Sequence, residues 1–257
     1  MSRPPRAAGP AVREGALVPS LYRDLRERIV SVALAPGQAV SETRIAEQYG
    51  VSRTPVREAF KRLAEDGFLD VVPQVGTFVA RIDLRLVRDA HFVRETLECR
   101  IVELASARID AAGRARLADT LARQRQALVA HDAAGFFEAD EALHRLLAEV
   151  AGHTAAWQVV QSAKSQLDRV RHLSLASRTR SRLRMTEHRA IAERVSAGDA
   201  RGAREAMRVH LASIFEAIDL IADAHAHFFV DSDPGAAPPA ARRGRAASDA
   251  ATDAAAR

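Results

Sequence analysis

Between Ser41 and Val79 the chain reads SETRIAEQYGVSRTPVREAFKRLAEDGFLDVVPQVGTFV. That order of apolar spacings, punctuation and β-branched residues leaves few folds open. Ser41 is placed to cap a short helix in which Ile45 and Tyr49 share a face at i, i+4. Gly50 tolerates the left-handed conformation that ends such a helix. Ser52 then caps a second helix, with Val56, Phe60 and Leu63 on its apolar face and Gly67 closing it. FLDVV, a turn over Pro73 to Gly76, and TFVA follow as a hairpin.

The charges on the second helix carry more information than its core. Arg53, Arg57 and Lys61 recur every four residues and form one stripe, with Arg62 alongside. From Val18 to Ala80 there are eight basic and eight acidic residues, so the segment is neutral and its positive charge is concentrated on that helix. A helix presenting its N-terminal turn and an arginine stripe fits the major groove, where Arg reads guanine edges and clasps phosphates. A solvated basic face is the ordinary alternative. Here the tight turn, both helices and the hairpin agree, which favours DNA.

The same run, and VSRTPVREA above all, closely resembles the winged helix-turn-helix of the GntR superfamily of bacterial transcriptional regulators. The resemblance implies that Ser52, Arg53, Thr54 and Arg57 touch operator DNA, and that the wing tip from Gln74 to Gly76 reaches the minor groove. Lys61 extends the stripe toward the phosphates. Many members carry Arg two residues after the cap of the first short helix, where this chain has Thr43. Arg44 stands next to it, about 100° around the helix, and is the remaining candidate contact from that element.

At 257 residues the chain suffices for two domains or one large one. It is 47% hydrophobic but only 5% aromatic, and its abundant alanine favours helix over sheet. A net charge of +5 is compatible with nucleic acid. The single cysteine, Cys99, excludes an internal disulfide and points to a reducing, cytoplasmic setting. No run of eighteen apolar residues is present, which argues against a membrane partner. MSRPPRAAGPAVREGA lacks the apolar segment of a signal peptide.

Residues 1–13 read as a disordered arm, 14–82 as the DNA-binding domain, 83–230 as a helical domain and 231–257 as a disordered tail containing Arg242, Arg243 and Arg245. Ser20 is expected to open the first helix. After Asp83, an expected N-cap, the periodicity predicts helices at about 84–109, 114–131, 133–151, 154–177, 181–197 and 199–229. The fold class is therefore mainly α: a small winged domain, then an all-α antiparallel six-helix bundle. The bundle is similar to the FCD effector-binding domain of the FadR branch. Six helices rather than seven, with Arg94 and Glu98 on the first, imply its VanR-like subgroup.

Within FFEADEALHRLLAEVAG, Asp140 and His144 project from one helical face a turn apart. His188 lies ten residues before Gly198 and His210 eleven after Asp199. On two antiparallel helices both imidazoles then fall about 15 Å from the turn. Three imidazoles and a carboxylate suit a divalent ion such as zinc, nickel or manganese, with two octahedral positions left for water or a carboxylate ligand. The family resemblance implies the same Asp-His-His-His set. His91, His131, His153, His172, His225 and His227 fit no such set.

The resemblance further implies a small organic-acid effector. Arg94 is the first candidate to bind it, with Arg169 and Arg171 behind; a salt bridge, for example to Glu98, is the competing role. The reading is a homodimeric repressor and not an enzyme, since two-fold operators require two recognition helices. Two rivals stand beside it. In one the metal itself is the signal. In the other a metal-dependent enzyme is fused to a DNA-binding domain, against which no Asp or Glu general base is identifiable by spacing.

Overall fold

A computed structural model describes residues 14–175 and 177–230, so the expectations for the N-terminal arm and the C-terminal tail lie outside the described residues. The order is α1 (Glu14–Val30), β1 (Ala39–Val40), α2 (Glu42–Tyr49), α3 (Arg53–Glu65), β2 (Leu69–Val72) and β3 (Gly76–Val79). The helical region follows: α4 (Leu84–Arg108), α5 (Ala111–Ala130), α6 (Ala133–Val150), α7 (Thr154–Ala163), α8 (Ser165–Leu175), α9 (Arg178–Ser196) and α10 (Ala200–His225), ending in a 3₁₀ turn, Ala226–Phe228.

Of the caps expected from sequence, Ser41 and Asp83 make their side-chain bonds and Ser52 does not. Ser41 accepts from the Arg44 amide at 3.5 Å, and Gly50 turns left-handed at φ 64° after α2. Asp110, Asp132 and Asp199 cap α5, α6 and α10 by accepting from the amides of Gly113, Gly135 and Gly202 at 2.7, 2.9 and 2.9 Å. A β-carbon on Gly135 or Gly202 would collide with its capping carboxylate. Because Asp110 is the cap, α5 begins at Ala111 rather than 114.

In the winged domain Leu21, Leu25 and Ile29 of α1 pack with Val56, Phe60 and Leu63 of α3 and with Phe68 and Val79 of the sheet. Val56 and Leu63 are fully buried, and each contributes about 1.5–3 kcal/mol. The expected hairpin pairs Leu69 with Val79 and Val72 with Gly76. The short β1 joins its other edge, pairing Ala39 with Phe78, to give the order β1-β3-β2. Two residues are too short a run for alternation to reveal that strand. α1 starts at Glu14, before the expected Ser20, with the exposed Pro19 inside it.

In the bundle α10 lies along α4 and α9, α5 packs on α6 and α9, and α6 on α4. The core between them gathers Val102, Leu117, Leu143, Leu147, Trp157, Ile191 and Met207. Cys99 is buried in this helical packing, and burial pushes its thiol up to about 11. Among the described residues the bundle has seven helices, not six, because the stretch 154–177 is two. Lys164 leaves helical geometry at φ −91°, ψ 4°. Its buried ammonium reaches Glu141 at 2.8 Å and Asp168 at 2.5 Å. No glycine or proline marks this break. The helix count that implied the VanR-like subgroup is thus not the one found.

α8 touches α4, α6, α9 and α10 within the bundle and α1 of the winged domain. The segment joining the two regions is held on both sides. Arg169 of α8 donates from Nη2 to the Ala80 carbonyl at 2.6 Å. The Ile82 amide donates to the Phe228 carbonyl at 2.8 Å, and the Val230 amide to the Ile82 carbonyl at 3.0 Å.

Candidate metal centre and nucleic-acid interface

Asp140 and His144 come from successive turns of α6, His188 from α9 and His210 from α10. Asp140, His188 and His210 are fully buried and His144 nearly so. The ligand atoms of the three histidines all lie within 4.8 Å of one another. His210 Nε2 stands 3.3 Å from His144 Nε2 and 3.4 Å from His188 Nε2. Asp140 borders two of the three, with Oδ2 3.7 Å from His144 Nε2 and Oδ1 3.5 Å from His188 Nε2. The sequence offsets of His188 and His210 from the turn at Gly198 thus bring the two rings together, tilted by 58° with centroids 4.5 Å apart.

Each ring is also held from behind. His188 Nδ1 meets Gln124 Oε1 at 2.8 Å, His210 Nδ1 meets Glu187 Oε2 at 2.9 Å, and His144 Nδ1 lies 2.5 Å from Glu98 Oε2. Gln124 Oε1 and an ionised carboxylate are acceptors, an arrangement that suits the tautomer with the proton on Nδ1 and the Nε2 lone pair free. Burial drives His188 down to about 3, and drives His210 well below its ordinary value with His188 and Arg184 adding to it. Both rings are therefore neutral. Three acceptors converge with no donor among them, and Asp140 Oδ1 is buried without a partner among the described residues. That donor set fits a cation, and the Nδ1 contacts are the kind that orient metal-binding imidazoles.

Asp140 is kept ionised. Burial opposes its charge, but the Arg171 guanidinium, then His188 and His144, hold it below the usual carboxylate range. Arg171 Nη2 binds Asp140 Oδ2 and leaves Oδ1 free. Glu98 is likewise held low against burial by Arg94 and His144. Glu187 moves the other way: burial raises it to about 7.

Spacing missed Glu98, Gln124 and Glu187 as members of the site. Only Glu98 left a trace, as the i+4 partner of Arg94. Both carboxylates stand behind the rings at Nδ1, away from the point where the Nε2 atoms meet, so they orient imidazoles rather than face a ligand there.

The effector candidates separate. Arg94 Nε donates to Glu98 Oε1 at 2.6 Å, which is the competing salt bridge, yet its Nη2 is buried with no partner among the described residues. Arg171 joins the centre through Asp140. Arg169, two residues away and so about 200° around α8, points to Ala80 and Gln166 instead, and is lowered to about 10 by burial. Arg169 thus faces the connecting segment, with its Nε buried and without a partner among the described residues. Arg184, one turn before His188, is buried and unmarked by sequence; burial lowers it, while Asp140 pulls the other way.

On the winged domain Arg44, Ser52, Arg53, Thr54, Arg57, Lys61, Gln74 and Gly76 are all exposed. Ser52 begins α3, but its hydroxyl makes no capping bond. Arg62 turns off the stripe and lies 5.3 Å over the Tyr22 ring. Gln74 at φ 61° and Gly76 at φ 149° shape the wing tip. Arg53 Nη2 and Arg57 Nε both donate to Glu42 Oε2 of α2, at 3.2 and 3.3 Å.

Comparison with known proteins agrees with both regions. Residues 17–79 match the family described as bacterial regulatory proteins, gntR family, and residues 89–213 match the FCD domain. An HTH-type transcriptional regulator in an unstable DNA locus of Streptomyces ambofaciens is 40% identical over 78% of this chain and 84% of its own. The HTH-type transcriptional repressor RspR of Escherichia coli K12 is 33% identical over 81% and 92%. A putative GntR regulator from Rhodococcus sp. RHA1 shares the fold, with a TM-score of 0.67 at 23% identity over 79% and 98% of the two chains. The chain belongs to the GntR family of DNA-binding transcriptional regulators, in the branch that carries an FCD domain.

Proposed function

We propose that this protein is a cytoplasmic repressor that binds operator DNA as a homodimer, with its affinity set by a small organic acid bound in the bundle beside a divalent metal. The observation that carries this reading is the convergence of the three histidine Nε2 atoms on one another, with the carboxylate of Asp140 beside two of them. Asp140, His144, His188 and His210 would hold zinc, nickel or manganese. Such an ion supplies a Lewis-acidic point for a carboxylate oxygen. Arg94 Nη2, buried and unpaired, supplies a donor for the same acid.

Repression by RspR, together with the shared architecture, supports the direction of control. Exposed Leu86 and Phe92 on α4 and Leu220 on α10 supply apolar surface for a second copy. On DNA, α3 enters the major groove with Arg53, Arg57 and Lys61 outward. Ser52 and Thr54 contact phosphate at its N-terminus, Arg44 reaches the flanking backbone, and Gln74 and Gly76 enter the minor groove.

The two ends are linked through α8. One face presents Arg171 to Asp140, and the opposite face presents Arg169 to Ala80 of the connecting segment. A change in how Arg171 holds Asp140 displaces α8, and Arg169 passes that displacement to the winged domain.

The test uses a duplex selected from a random library by the wild-type protein. Its affinity is measured on metal-free chain, on metal-loaded chain, and on loaded chain with a panel of mono- and dicarboxylates. An acid should weaken binding by about 5–150-fold, the usual range of allosteric coupling. A shift with metal alone, and none with acids, would make the metal the signal. No shift in either arm would remove the coupling.

A further inference from the structure

Glu42 opens α2 and faces α3 across the turn. One of its oxygens, Oε2, accepts from Arg53 Nη2 at 3.2 Å and from Arg57 Nε at 3.3 Å. The arginine side chains are 57% and 62% exposed, while that of Glu42 is 25% exposed. Exposed pairs of this kind add little to fold stability. Their consequence lies in where they leave the guanidinium groups.

A free surface arginine samples many rotamers and loses that freedom when it docks. A carboxylate shared between two successive turns of α3 restricts both side chains before DNA arrives. Because Arg57 is held through Nε, its two terminal nitrogens have no partner among the described residues, and they form the fork that matches O6 and N7 of guanine. The same negative charge lies beside the cations that would otherwise clasp any phosphate. Sequence-independent binding is driven by that charge, whereas specific binding needs the direction of the fork.

We propose that Glu42 is a positioning residue for DNA recognition, aiming Arg53 and Arg57 at the groove and suppressing sequence-independent binding to phosphates. This rests on the reading that those arginines face DNA. The experiment compares full-length wild type, E42Q and R57A on the library-selected duplex and on a non-cognate duplex of equal length, over a salt series. In E42Q the ratio of cognate to non-cognate affinity should fall about tenfold, the scale of one mismatched base pair. The non-cognate salt slope should steepen by about 0.9, the value of one further phosphate neutralised. Thermal unfolding should not move. An unchanged ratio, or an equal loss on both duplexes, would reduce Glu42 to an ordinary surface or structural residue. R57A unchanged on both duplexes would instead overturn the placement of α3 on DNA.

Discussion

An Arg171→Ala variant is expected to unfold about 3–5 kcal/mol more easily than wild type, the cost of stranding buried charge. Arg171 is almost fully buried. It donates from Nη1 to Glu141 Oε1 at 2.6 Å and to Asp168 Oδ1 at 2.7 Å, and from Nη2 to Asp140 Oδ2. Without it Lys164 still faces Glu141 and Asp168, but Asp140 keeps no Lys or Arg within salt-bridge reach among the described residues. Trp157 is the only tryptophan of the chain and is buried in the bundle core, so its fluorescence in a urea titration follows this region. The titration belongs in chelator, where a bound metal cannot offset the loss. A change below about 1 kcal/mol, the value of an exposed pair, would mean that the cluster is hydrated rather than buried. Arg171→Lys should recover part of the loss, since it restores charge without the second arm.

Arg57→Ala should weaken binding to the selected duplex by about 1–3 kcal/mol, with specificity relaxed at one base position. Arg57 is exposed, and it sits one turn into α3, where a groove-bound helix meets the bases. Lys61→Ala provides the contrast. Removing a side chain that meets only phosphate should weaken all sequences alike and lower the salt slope by about 1. The bundle transition of both variants should match wild type, because neither side chain enters a core. Anisotropy titrations on selected and scrambled duplexes check both. Equal losses on the two duplexes for Arg57→Ala would move that residue from base reading to a backbone role.

The local rules of the chain were legible without coordinates. Gly50, Asp83 and Asp132 end or begin helices where residue chemistry says they should, and the offsets of His188 and His210 from Gly198 predicted that their rings meet. What escaped was set by residues distant in sequence. The break at Lys164 has no glycine or proline to announce it, and Glu141, which its ammonium meets, lies on another helix. The pairing of Glu42 with Arg53 and Arg57 needs α2 and α3 packed together, and Gln124 becomes a partner of His188 only when α5 lies on α9. Arg169 and Arg171 could be assigned to opposite faces of one helix, but periodicity does not say which face turns toward Asp140.

The metal content of the purified chain, taken beside that of His188→Ala by elemental analysis and native mass spectrometry, bears most directly on the buried centre. The expected result is a single divalent ion per wild-type chain after loading with zinc, nickel or manganese. In His188→Ala that ion should be lost, with affinity for the duplex retained. A wild type that takes up none of the three ions, or a variant that keeps its full complement, would contradict it.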